Sequence, residues 1–130
     1  MGLTVQWDNT EQTVVRWDFA GRWSSDDFID AVQHTISLAE AVPHSVYVLA
    51  MVRGVPPANL LDTGEQMVCV CWPRNLKKLL FVDATASMRS VLSLVGRACP
   101  EMPKIEFPGT SDEAYERITQ LHLIEEYARS

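Results

Sequence analysis

A chain of 130 residues with 47% hydrophobic and 22% charged side chains is long enough to bury one core of its own and shows no sign of disorder or fibrous repeat, so residues 1–130 read as a single domain. The formal net charge of −6 argues against nucleic acid or an anionic membrane surface as partner, because phosphate-rich partners require clustered Lys and Arg. The one small basic group, Arg74 to Lys78, does not reverse that balance.

No window supplies the roughly 18 to 20 consecutive apolar residues of a spanning helix, and Met1-Gly-Leu-Thr-Val5 has no basic region ahead of an apolar one. A soluble, cytoplasmic protein without integral membrane association is expected. The cysteines number three, and an odd number without a secretion signal reads as reduced thiols.

Leu3 to Asp8 and Thr13 to Phe19 are β-prone runs separated by polar Asn9-Thr-Glu-Gln12. The alternation of Val5, Trp7 and then Val15, Trp17, Phe19 predicts an antiparallel hairpin with one face on the core. Trp7 and Trp17 then fall on faces where they pair across strands, as core aromatics rather than a ligand-stacking platform. Ser24-Ser-Asp-Asp27 opens a helix with a hydroxyl cap and acids in the first turn. Phe28, Ile29, Val32, Ile36, Ala39 and Val42 carry its apolar face to about Ala41, and Pro43 stops it. Capping and solvation account for Asp26, Asp27 and Asp30 better than a metal site does.

His44 to Arg53 is an apolar run without polar alternation, punctuated by Pro43 and Gly54, as suits the central strand of a parallel sheet buried on both faces. Ligands of such sheets gather at the carboxyl ends of the strands, which makes Arg53, Gly54, Pro56 and Asn59 first candidates for a site. Pro57 suits the start of a second helix, along which Leu60, Leu61, Met67, Val68 and Cys71 recur at helical spacing. Val68 to Trp72 alone would also pass for strand, and helix is the reading adopted. Cys69 and Cys71 point apart on a helix, and on a strand no His or further thiol completes a zinc set, so buried, inert thiols are expected and no metal.

Trp72 to Asn75 reads as a turn and Leu76 to Val82 as a second buried strand. Asp83 to Ser87 leads from its carboxyl end into a helix with Met88, Val91, Leu92, Val95 and Cys99 on one face, ended by Pro100. If the two strands are parallel, Asp83, Ser87 and Arg89 share an edge with Arg53 and Asn59; capping by Thr85 or Ser87 is the plainer reading of the hydroxyls. Lys104 to Phe107 is a short strand near an edge. Thr110 to Glu113 is a capping box that starts a last helix, with Ala114, Ile118, Leu121 and one of Ile124 or Ala128 inward and a frayed end from Glu125 to Ser130.

The order strand, strand, helix, strand, helix, strand, helix, strand, helix specifies an α/β fold: an antiparallel N-terminal hairpin joined to a mostly parallel sheet of about five strands with about four helices. The phrase Val15-Arg-Trp-Asp-Phe-Ala-Gly-Arg-Trp23 running into Ser24-Ser-Asp-Asp-Phe28, the strand 44–53, Pro73-Arg-Asn-Leu76 and Phe107-Pro-Gly-Thr-Ser-Asp-Glu-Ala114 together resemble the STAS superfamily. Within that anti-sigma-factor-antagonist fold they resemble the SpoIIAA-like branch, which is related to the Sec14 (CRAL-TRIO) lipid-binding domain. Phosphorylatable members carry an Asp-Ser-x-Gly type segment after the central strand. This chain reads Met51 to Asn59 there, with no hydroxyl before Thr63, so no phosphoacceptor is expected.

The resemblance implies a non-enzymatic regulatory or interaction module that binds a protein partner, or itself as a homodimer, through the strand-end loops and the second helix. Its Sec14 side implies instead a carrier or sensor of a small apolar ligand, lined by Leu60, Leu61, Met67, Trp72 and Met88. No nucleophile–base pair or cofactor motif is present, and an enzyme built on Arg53, Asp83 and Ser87 is the weakest of the three readings.

Overall fold

The computed structural model of the chain describes residues 2–53, 57, 60–68 and 70–129. The alternating runs form strands β1 (Leu3–Trp7) and β2 (Val14–Phe19), paired antiparallel with Val5 opposite Trp17 and Trp7 opposite Val15. Asn9 shapes the turn between them, its side-chain oxygen accepting from the backbone N–H groups of Thr13 at 3.0 Å and Val14 at 3.3 Å. There follow α1 (Ser25–Glu40), β3 (Val46–Met51), α2 (Leu60–Val68), β4 (Leu76–Val82), α3 (Ala86–Ala98), β5 (Lys104–Glu106) and α4 (Ser111–Arg129). The strands lie in chain order β1-β2-β3-β4-β5, and every pair after the first is parallel. This is the expected α/β fold.

Because each crossover steps to the neighbouring strand in one direction, α1, α2 and α3 fall side by side on one face, and α4 covers β3 and β4 from the other. β3 is therefore sandwiched. Its alternation sends Val46, Val48 and Ala50 to the three-helix side and Tyr47, Leu49 and Met51 to the α4 side, all of them buried. An unbroken apolar run is what two-sided burial requires. Across the sheet Trp17, Ala50 and Phe81 stand in one row. The small Ala50 leaves the flanking rings free to meet edge to face, 6.0 Å apart.

Trp17 is fully buried, but its ring partners are Phe19, Phe28 and Phe81 rather than Trp7. The register sets Trp7 opposite Val15, two positions from Trp17. The Trp17 indole N–H donates to Thr35 Oγ1 at 2.7 Å, and the Thr35 hydroxyl donates on to the Ala31 carbonyl.

Local signals placed the helix starts. Ser24 and Asp27 make a reciprocal capping box on α1, and Thr85, not Ser87, caps α3 by accepting from Met88 N. At α4 the Thr110 hydroxyl accepts from Glu113 N as expected, whereas the Glu113 carboxylate accepts from Gly109 N.

Three expectations are corrected. Helix α2 ends at Val68, and Val70 to Trp72 are irregular; Pro73 bars the helical conformation for the residue before it. Cys71 is exposed rather than a buried thiol, while Cys69 lies outside the described residues; the half-buried Cys99 packs against the core from the inner face of its helix, as its spacing implied. Helix α4 continues to Arg129 instead of fraying, because the Glu125 carboxylate accepts hydrogen bonds from the hydroxyls of Ser45 and Tyr47. Ile124 and Ala128 consequently face out.

Asn75, in the turn before β4, ties the layers together. Its side-chain amide donates to the carbonyls of Ala39 at 2.7 Å, Val42 at 3.1 Å and His44 at 3.0 Å, so one residue satisfies the end of α1 and its loop to β3. Replacing Asn75 by Ala removes the amide from the Val42 and His44 carbonyls and leaves that of Ala39 only its backbone donor, and is expected to lower unfolding free energy by about 1–2 kcal/mol. Urea denaturation measures this, and a loss below about 0.5 kcal/mol would show that solvent satisfies the carbonyls equally well.

Candidate functional site

Parallel pairing of β3 with β4, Met51 opposite Val82, brings Arg53 and Asp83 to the same carboxyl edge, as the sequence implied. The Val52 N–H donates to the Val82 carbonyl at 3.0 Å and fixes the two strand ends together. Arg53, Asp83, Ser87 and Arg89 are all exposed. Gly54, Pro56 and Asn59 lie outside the described residues, as do the side chains of Leu60, Leu61 and Met67. Among the described residues no hydrogen bond or ion pair joins Arg53, Asp83, Ser87 and Arg89 to one another. Arg89 instead turns toward β5, its guanidinium 5.5 Å from the centre of the Phe107 ring.

Among the described residues of this edge, Asp83 alone has a backbone in the left-handed region, with φ at 61°. Asp tolerates that conformation better than most residues, and the turn from β4 into the α3 cap requires it. Among the described residues the edge thus presents Arg53, Asp83 and Arg89 as separate, exposed charges.

A different polar group gathers on the α4 face. Glu106 receives Lys78 Nζ at 2.8 Å and Arg117 Nε at 2.9 Å, and these contacts, Arg117 first, hold its carboxyl below the ordinary value of 4.5 against the opposing pull of burial. On the other flank the Tyr115 hydroxyl donates to Asp8 at 3.0 Å, and Arg16 sits between Asp8 and Asp18. Burial, then the Asp8 contact, raises the Tyr115 phenol. Both groups pin α4 across the sheet. Beyond them the helix leaves Leu123, Ile124 and Tyr127 59%, 60% and 85% exposed, and Ile124 and Leu121 border a shallow cleft with Tyr47 and Lys77.

Sequence reasoning missed two features. One is this outward apolar surface, which the spacing of Leu123 and Tyr127, four residues apart, would have revealed. The other is a narrow cleft where α1, α2 and α3 meet, in which Trp23 and Phe28 face Thr63, Met88 and Leu92; no local pattern announces it. Among the described residues no group of three or more His, Cys, Asp or Glu is arranged to hold a metal ion, and no helix is long and apolar enough to cross a membrane. Compared with protein-family models, curated proteins and solved structures, the chain matches none.

Two measurements follow from this geometry. Because the Glu106 carboxyl is held low when folded, it stabilises the protein above its ordinary titration range, and that increment is lost as pH falls through the lowered value. Glu106→Gln should therefore cost about 1 kcal/mol at neutral pH and nothing in strong acid. Unfolding curves that stay parallel from about pH 7 to pH 2 would contradict the assignment. At the rim, Asp83→Gly should leave stability within about 0.5 kcal/mol while Asp83→Val costs about 1–2 kcal/mol, since only the latter adds a β-branched side chain to a left-handed backbone. Equal effects in thermal melts would show that the backbone relaxes there.

Proposed function

We propose that this chain is a non-catalytic interaction module of STAS, SpoIIAA-like type, which binds a protein partner in the cytoplasm, with a second copy of itself the first candidate. The element order and the phrases around Trp17 to Phe28 and Phe107 to Ala114 support the family reading. The loop after Arg53 carries no hydroxyl, so binding is not switched by phosphorylation there.

The observation that carries the proposal is the apolar surface of Leu123, Ile124 and Tyr127 on a helix anchored to the sheet beside them. Glu125, in the middle of that stretch, is fixed to Ser45 and Tyr47. The side chains around it therefore cannot turn inward, and clustered exposure of this kind marks an association surface. The surface lies near the amino end of β3, whereas Arg53 and Asp83 mark the carboxyl edge, so the main contact belongs to α4 rather than to the strand-end loops.

The test uses light scattering after size exclusion, together with a pull-down in which the same partner must be retained stoichiometrically. The unmodified protein should dimerise or retain one partner, and Leu123→Ser combined with Tyr127→Ser should weaken that association at least about tenfold without lowering the melting temperature by more than about 2 °C. An unmodified chain that stays monomeric at millimolar concentration and retains nothing that the double variant loses would sink the proposal. A companion variant, Arg53→Glu, should leave association unchanged; if it abolishes binding, the carboxyl edge is the interface.

A further inference from the structure

A groove of about 570 Å³ runs between α3 and β5 at the edge of the sheet. Apolar Leu92, Met102, Ile105 and Phe107 line it together with exposed Arg97 and Lys104, and no acidic side chain does. Among the described residues neither cation forms an ion pair. β5 is the last strand and pairs with β4 alone, so the groove lies on an open margin of the molecule.

Gly96, on the α3 wall of this groove, answers no demand of packing or backbone. A Cβ there would meet no atom within 4 Å, and the residue is not in the left-handed region. Gly64 differs, because its Cβ would stand 2.8 Å from methyl carbons of Val91 and Val95, and the close approach of α2 to α3 requires it. Glycine weakens a helix relative to alanine. At position 96 what it supplies is an unobstructed wall.

The outward face of α4 is the complement of this groove. Glu116, Leu123 and Tyr127 recur at spacings of seven and four, which sets them on one stripe, with Glu126 on one flank and Ile124 on the other. Glu116 and Glu126 are exposed. Arg117, the one Lys or Arg of the helix whose side chain is described, is bound to Glu106, and Lys77 borders only the Ile124 flank. The helix therefore presents apolar side chains with acids, and the groove apolar side chains with bases. Both lie toward the amino ends of the parallel strands: Glu125 accepts from Tyr47, and Lys104 stands in one row with Lys78 and Tyr47.

An amphipathic helix and an apolar groove of opposite charge are matched surfaces. Resting on the reading of α4 as the association surface, we infer that the helix of one copy seats Leu123 and Tyr127 in the α3–β5 groove of a second copy, with Glu116 and Glu126 against Arg97 and Lys104. The contact joins unlike surfaces. Helix against helix would bring acids to acids, and groove against groove bases to bases.

The experiment mixes two variants of the full chain and weighs the products by light scattering. Leu123→Ser with Tyr127→Ser spoils the helix face and spares the groove. Gly96→Glu with Lys104→Glu, both at exposed positions, spoils the groove and spares the helix. Each variant alone should associate at least about tenfold more weakly than the unmodified chain, and an equimolar mixture should regain a dimer, because one intact helix then meets one intact groove. If the groove variant melts early, Lys104→Glu alone takes its place and should weaken association about threefold. A folded groove variant that associates like the unmodified chain, while the helix variant does not, leaves α4 an association surface and overturns the groove as its seat. A mixture that stays monomeric overturns it too, as does an unmodified chain that stays monomeric or holds only a different protein.

Discussion

Burial of β3 on both faces is the constraint on which the rest of the molecule depends. Six consecutive residues, Val46 to Met51, have no solvent-facing side, so the chain must provide one cover of helices for the even-numbered side chains and another for the odd. The sequential crossovers through α1, α2 and α3 supply the first cover by topology alone. The second cannot come from a crossover and falls to α4, which reaches back over β3 and β4. The polar ties at Glu106, Tyr115 and Glu125 exist because a single helix laid across a sheet has too little apolar contact to fix its own angle.

The two covers also divide the molecule chemically. The three-helix side is aromatic and nearly continuous, with Trp17, Phe19, Trp23, Phe28 and Phe81 in mutual contact. The α4 side is aliphatic at its centre and charged at both margins. An unpaired donor is costly in the first environment and solvated in the second.

What the sequence made legible was whatever depends on neighbours along the chain. Ser24 and Thr85 stood out as caps, Leu76 to Val82 as a strand, and parallel pairing then put Arg53 and Asp83 on one edge. What it concealed depends on residues far apart. Nothing near Asn75 says that its amide will meet the carbonyls of Ala39, Val42 and His44, and nothing near Glu125 names Ser45. Helical spacing in α4 left the inward choice open between Ile124 and Ala128. The Glu125 anchor turned both outward. At Val70 to Trp72 a helical period ran on past the point where Pro73 forbids it. The candidate rim was readable as a location, but its side chains do not converge, and the cleft at Trp23 carried no local signal because its walls come from three separate helices.

Strand order that follows chain order has a kinetic meaning. Every strand pairs with the one before it, so after the hairpin each pairing joins residues only about 26 to 33 positions apart, as Leu79 with Ile105 and Val14 with Tyr47, and the sheet can grow from one end as the chain emerges during synthesis. The contacts that break this locality are made by α4, where Tyr115 meets Asp8 across 107 positions and Glu125 meets Ser45 across 80. Docking of that helix is the chain-spanning contact, and without it Tyr47, Leu49, Met51, Leu80 and Val82 would form an uncovered apolar face. The last helix thus acts as the molecule's own chaperone for the half of its sheet that no crossover protects.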